Sequence, residues 1–126
     1  MNSKDLEKYG FKNWIPFTNI SLVDIPRKSG AYILRLNRSF GRLVGESDIL
    51  YIGSTFNLNQ RFIENYLGGR GGETTQRIHN YLIEKGYMDK VEVSWILTKD
   101  YSRIEKKLRE QYEEEHHELP PWNRRM

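Results

Sequence analysis

"DILYIGSTFNLNQRF", residues 48–62, changes periodicity partway through. Ile49, Leu50, Tyr51 and Ile52 make a β-rich apolar run, which reads as a strand. From Asn57 the spacing becomes helical: Leu58, Phe62 and Tyr66 recur every four residues, and Ile63 and Leu67 widen the stripe. Asn57 stands where an N-cap belongs and Gly68 where the helix stops. A strand that hands directly to an amphipathic helix sets the class, a sheet with helices packed on it.

The flanking sequence extends that reading. Upstream, "GAYILRLN" (30–37) predicts a partner strand, and "RSFGRLVGE" (38–46), with two glycines, predicts a long hairpin loop. Downstream, "GGRGG" (68–72) is a loop without the spacing of a phosphate cradle. Thr74 or Thr75 then caps a helix through Lys85 with Ile78, Leu82 and Tyr81 inward, and Gly86 ends it. "KVEVSWIL" (90–97) alternates, with Val91, Val93, Trp95 and Leu97 on one face and Glu92 and Ser94 on the other. A last helix carries Tyr101, Ile104, Leu108 and Tyr112 as its buried stripe, starts near Thr98 or Asp100, and ends by Pro120–Pro121. Residues 1–28 read as a short helix and an extended lead-in packed on the domain. The expectation is one α+β domain over 1–126 without internal repeats. Its sheet is small, mainly antiparallel and three-stranded, flanked by helices in the order β-β-α-α-β-α.

Composition narrows the functional classes. At 37% hydrophobic and 13% aromatic, 126 residues can form a core. The absence of cysteine removes disulfides, thiol nucleophiles and thiolate metal sites. No apolar run approaches the ~20 residues of a membrane span, and the amino terminus does not read as a signal peptide. A cytoplasmic protein without a membrane partner, monomeric or weakly dimeric, is expected. The net charge of +3 is mild, but its distribution is uneven. Basic residues (among them Arg27, Arg42, Arg70, Arg77, Arg124 and Arg125) recur between the elements, while acidic ones crowd between Glu110 and Glu118. Such asymmetry gives one face a potential suited to phosphates.

Tyr51 and Gly53 share a strand face, and a suitable register brings Tyr32 beside them. Gly53 leaves room for a close approach. Arg61 and Glu105 lie at the margins of the buried stripes of their helices. This set suits phosphodiester hydrolysis. A glutamate can hold a hard divalent cation, and an arginine can bind non-bridging phosphate oxygens. A tyrosine, with an unperturbed pKa of ~10, serves as a base only beside a cation.

"GAY" at 30–32 and "YIG" at 51–53 resemble the paired signature of the GIY-YIG nuclease family. Arg61, "EKKL" (105–108) and "PPWN" (120–123) continue the resemblance in order, which covers about residues 25–123. It implies an Mg²⁺- or Mn²⁺-dependent DNA endonuclease that leaves 5′-phosphate and 3′-hydroxyl ends. Tyr32 is then the candidate general base and Tyr51 orients water. Arg61 holds the scissile phosphate, Glu105 binds the metal and Asn123 braces the site. Gly53, Ser54, Arg70 and Arg77 are further candidates for DNA contact. Ala31 departs from the first signature, and the interval from Glu105 to Asn123 is long. The histidine or lysine that some members carry after the helix arginine has no clear counterpart. Arg70 is a stand-in, and His79 comes late.

Each residue also has an ordinary structural use: tyrosine in strand packing, Arg61 on a solvated helix, Asn123 in a turn. "SRIE" (102–105) fits a capping box, and His116–His117 fit a solvated helix end. Two rivals follow: a binding module of the same fold without catalysis, and a protein-interaction domain presenting the acidic helix.

Overall fold

The computed structural model describes residues 1–124, so Arg125 lies outside the described residues. Its centre is a four-stranded antiparallel sheet in the spatial order β1 (Ile15–Pro16), β4 (Val91–Leu97), β2 (Gly30–Gly41), β3 (Glu46–Thr55). Two 3₁₀ segments, Ser3–Tyr9 and Phe17–Leu22, precede β2. A π-helix (Gln60–Leu67) and α1 (Glu73–Ile83) separate β3 from β4, and α2 (Tyr101–His116) follows. The α+β class stands, but the sheet has one strand more than the sequence reading predicts. β1 pairs Ile15 with Val93 and Pro16 with Glu92. Two residues show no alternation to read, and proline is tolerated at a sheet edge.

The predicted long hairpin loop shrinks to residues 42–45, where Arg42 N–H donates to Gly45 O (2.9 Å) and Gly45 takes φ +74°. Beyond Leu36 the hairpin outruns β4 and continues as a two-stranded ribbon, with register irregularities after Leu34 and Arg35. Helix boundaries shift as well. Gly72, without a side-chain cap, precedes α1 where Thr74 or Thr75 was the expected cap, and α1 ends at Ile83. Asp100 precedes α2, which places Ser102 inside the helix and excludes the capping box with Glu105.

Both sheet faces are covered. On one, Tyr32, Leu34, Leu36 and Val93 pack with Phe62 and Tyr66 of the π-helix and with Ile78 and Leu82 of α1. On the other, Ala31, Ile33, Ile49 and Ile52 pack with Leu108 and Tyr112 of α2 and with Leu6 and Phe11 of the amino-terminal segment. This second cover reverses two expectations. Ser94 is buried and donates to Lys12 O (2.7 Å), and Leu97, at the strand end, is exposed. His116, expected in solvent, is buried beside Tyr112 with its Nδ1 against Val44 O (2.7 Å), so it ties α2 to the hairpin tip.

The carboxyl-terminal segment closes the outer edge of β3. Trp122 N–H donates to Leu50 O (2.9 Å), and the indole stacks on Tyr81 at 4.8 Å. Unpaired ladder groups on an edge strand invite association, so this segment protects the fold while it approaches the site.

Candidate active site

Four consecutive residues of β3 organise the site. Tyr51 faces the Tyr32 ring at 6.1 Å between centroids. Ile52 exchanges two backbone hydrogen bonds with the Asn123 side chain: its N–H donates to Oδ1 and its carbonyl accepts from Nδ2, both at 3.0 Å. Gly53 lies opposite Tyr32 in the register. A Cβ there would stand 2.5 Å from Tyr32 Cζ and 2.6 Å from Tyr51 Cε2, so only glycine admits both rings. Ser54 Oγ donates to Glu105 Oε1 at 2.5 Å.

Arg61 comes from the segment that follows. Asn57 caps its start: the side chain accepts from Gln60 N–H (3.1 Å) and the carbonyl accepts from Arg61 N–H (3.0 Å). Arg61 Nη1 then donates to Tyr32 Oη (3.0 Å), which also shares a 2.5 Å hydrogen bond with Tyr66 Oη. The π-helical pitch places residues five apart on one side, so Arg61 and Tyr66 both reach the same phenol. On α2, Arg109 Nη2 pairs with Glu105 Oε2 at 2.9 Å, one turn along.

Burial sets the electrostatics. Tyr32 and Tyr66 are fully buried, and the loss of solvent raises both phenol pKa values above the ordinary tyrosine range, with Arg61 opposing the rise. Tyr51 is only partly buried, yet its pKa is also raised, first by desolvation and then by Tyr32 and Glu105. Arg61 remains a cation: desolvation works against its charge, but the Tyr32 and Tyr66 oxygens outweigh it. The three phenols are therefore neutral at ordinary pH.

Tyr51 opens onto a cleft of about 460 Å³ shared with Glu73, Arg77, Arg109, Asn123 and Arg124. Tyr32, expected to be the base, is instead enclosed, with its hydroxyl committed to Arg61 and Tyr66. Asn123, whose side-chain amide pairs with the Ile52 backbone, holds the strand. Arg77 lines the cleft and donates to Trp122 O. Arg70 sits in the exposed loop, where its carbonyl accepts from Asn65 Nδ2, and it does not line the cleft. His79 joins the two helices through Tyr66 O (2.6 Å).

Three members of this network escaped the sequence reading. Tyr66 fits the apolar stripe and was indistinguishable from core. Arg109 carries a signal, its i,i+4 spacing from Glu105. For Ser54 the reading offered only DNA contact, because its bond to α2 is a tertiary event.

No protein-family model, curated protein or solved structure matches this chain.

Proposed function

We propose that the protein is a divalent-cation-dependent endonuclease of the GIY-YIG type that hydrolyses DNA phosphodiester bonds to 5′-phosphate and 3′-hydroxyl ends. One observation carries the reading. Residues 51–54 of β3 engage Tyr32, Asn123, both phenol rings and Glu105 in turn, and Tyr32 bears Arg61. Five residues spread over 92 positions of sequence thus meet on one strand end.

The donor set suits Mg²⁺ or Mn²⁺. Among the described residues no three His, Asp or Glu side chains gather to enclose a cation. A hard cation that keeps most of its waters needs only one or two carboxylates plus substrate phosphate. Glu105 supplies one. Ser54 and Arg109 fix its orientation, and each carboxylate oxygen keeps further acceptor capacity. Bound there, the cation would supply Lewis-acid stabilisation of charge on the phosphoryl and leaving oxygens.

The chain's own residues do the rest. Arg61, a planar donor anchored on Tyr32, offers its remaining N–H groups to the non-bridging oxygens as their charge grows. Tyr51, the phenol open to the cleft, orients the attacking water by hydrogen bonding. Tyr51 thus keeps the role first expected for it, whereas Tyr32, buried, serves to aim Arg61 and not as the base.

A plasmid-nicking assay tests the reading. Purified protein should nick DNA with Mg²⁺ or Mn²⁺ and stop on chelation. The engagement of both Glu105 oxygens by Ser54 and Arg109 favours one alternative, a binding module without catalysis. Salt-sensitive DNA binding with no nicking under either metal would establish it.

A further inference from the structure

We infer that the cleft beside Tyr51 is a nucleotide subsite, holding the backbone phosphate next to the scissile linkage through Arg77 and Arg124. Its placement next to the cut rests on the nuclease reading; its chemistry does not. Arg77, Arg109 and Arg124 line the cleft together with the single carboxylate of Glu73. Arg109 is already paired with Glu105, so Arg77 and Arg124 stand against Glu73 and leave one positive charge in excess.

Arg77 spends one Nη donor on the Trp122 carbonyl. A guanidinium fork held at one corner presents its remaining donors in the geometry that phosphate oxygens fit. Arg124, the exposed residue after the Asn123 brace, adds a second cation on the same side.

The cleft's 460 Å³ falls within the roughly 300–1,000 Å³ of sites that take organic ligands. A nucleotide unit fits such a space, and Tyr51 places it beside the reacting centre.

The test is fluorescence anisotropy with a short DNA duplex in chelator, which keeps the strand intact, across a series of salt concentrations. Arg77→Gln and Arg124→Gln should each flatten the slope of log affinity against log salt by about 0.9, the value for one neutralised phosphate. Arg77→Lys should restore the slope, and Lys8→Gln, outside the cleft, should leave it unchanged. Unchanged slopes in both glutamine variants would overturn the subsite. So would loss in Arg77→Gln and Arg77→Lys alike with Arg124→Gln unaffected, since Arg77 would then only pin Trp122. Displacement of the duplex by micromolar deoxyadenosine monophosphate would also overturn it, in favour of a free-nucleotide site. If the wild type fails to nick with metal but the slopes shift as expected, the phosphate site stands and only the cleavage reading falls.

Discussion

The two faces of the sheet are built from the same strands by alternation, yet they differ in chemistry. One sets hydroxyl-bearing rings and a charged guanidinium inside its packing: Tyr32, Tyr66 and Arg61 beside Phe62. The other is mainly aliphatic, with Ile33, Ile49, Ile52 and Leu108. A buried polar group costs stability unless it is hydrogen-bonded, so a core selected for stability alone would resemble the second face. The proposed activity needs both faces. Tyr32 and Arg61 come from the first. Glu105, held by Ser54, comes from α2, which covers the second, where Ser94, Tyr112 and His116 are also buried.

Substitutions at the β3 strand end and within the aliphatic packing should separate activity from stability. The largest expected effect is on cleavage. Arg61→Ala or Glu105→Ala should lower the nicking rate by about 10²-fold or more, the scale of removing one preorganised charge contact. Nicking by Glu105→Ala at the wild-type rate would remove its metal role. On the aliphatic face, Ile33→Ala should cost about 2–5 kcal/mol in urea denaturation while the rate per folded molecule stays constant. A rate that fell with it would show the two faces to be coupled.

Gly53→Ala should do both at once. Its methyl would press on Tyr32 and Tyr51, so a loss of about 1–3 kcal/mol is expected together with weakened nicking. Smaller still, Tyr66→Phe removes one partner of the Tyr32 hydroxyl and leaves Arg61 in place. It should cost about 1 kcal/mol, measurable as a shifted denaturation midpoint.

The last test is pH. The folded phenol pKa values of Tyr32, Tyr51 and Tyr66 lie above the unfolded value near 10. Above that pH the unfolded chain releases protons that the folded chain keeps, so ν_U − ν_N is negative and stability falls. Below it the contribution is intact. Urea midpoints should hold up to about pH 9 and decline beyond pH 10, less steeply in Tyr66→Phe. Tyr112, raised mainly by burial on the opposite face, should contribute a residual decline in that variant.

How far the sequence could be read varies by element. The buried stripe of α2 follows from spacing, because a residue's neighbours three and four along are fixed by local geometry. The same spacing marks a helix from Leu58 but not its π pitch over Gln60–Leu67. The sheet edge was less readable, since β1 is two residues whose pairing to β4 depends on distant chain. The amino-terminal lead-in reads as packed on the domain, but the burial of Ser94 has no local signal, because it depends on where Lys12 settles.

By itself, then, the sequence determined which residue types were present, their periodicity, and the order of the elements from Gly30 onward. It also set two glycines, Gly30 and Gly53, where a side chain would strike Ile96 or the phenols. Only the tertiary structure decided that Tyr32 is enclosed while Tyr51 meets the cleft, that Ser54 and Arg109 hold Glu105, and that Asn123 backs Ile52. The reason is range. Periodicity encodes contacts within one turn or one strand, whereas each of these choices needs a strand register, a helix docking or a chain end that no local pattern specifies.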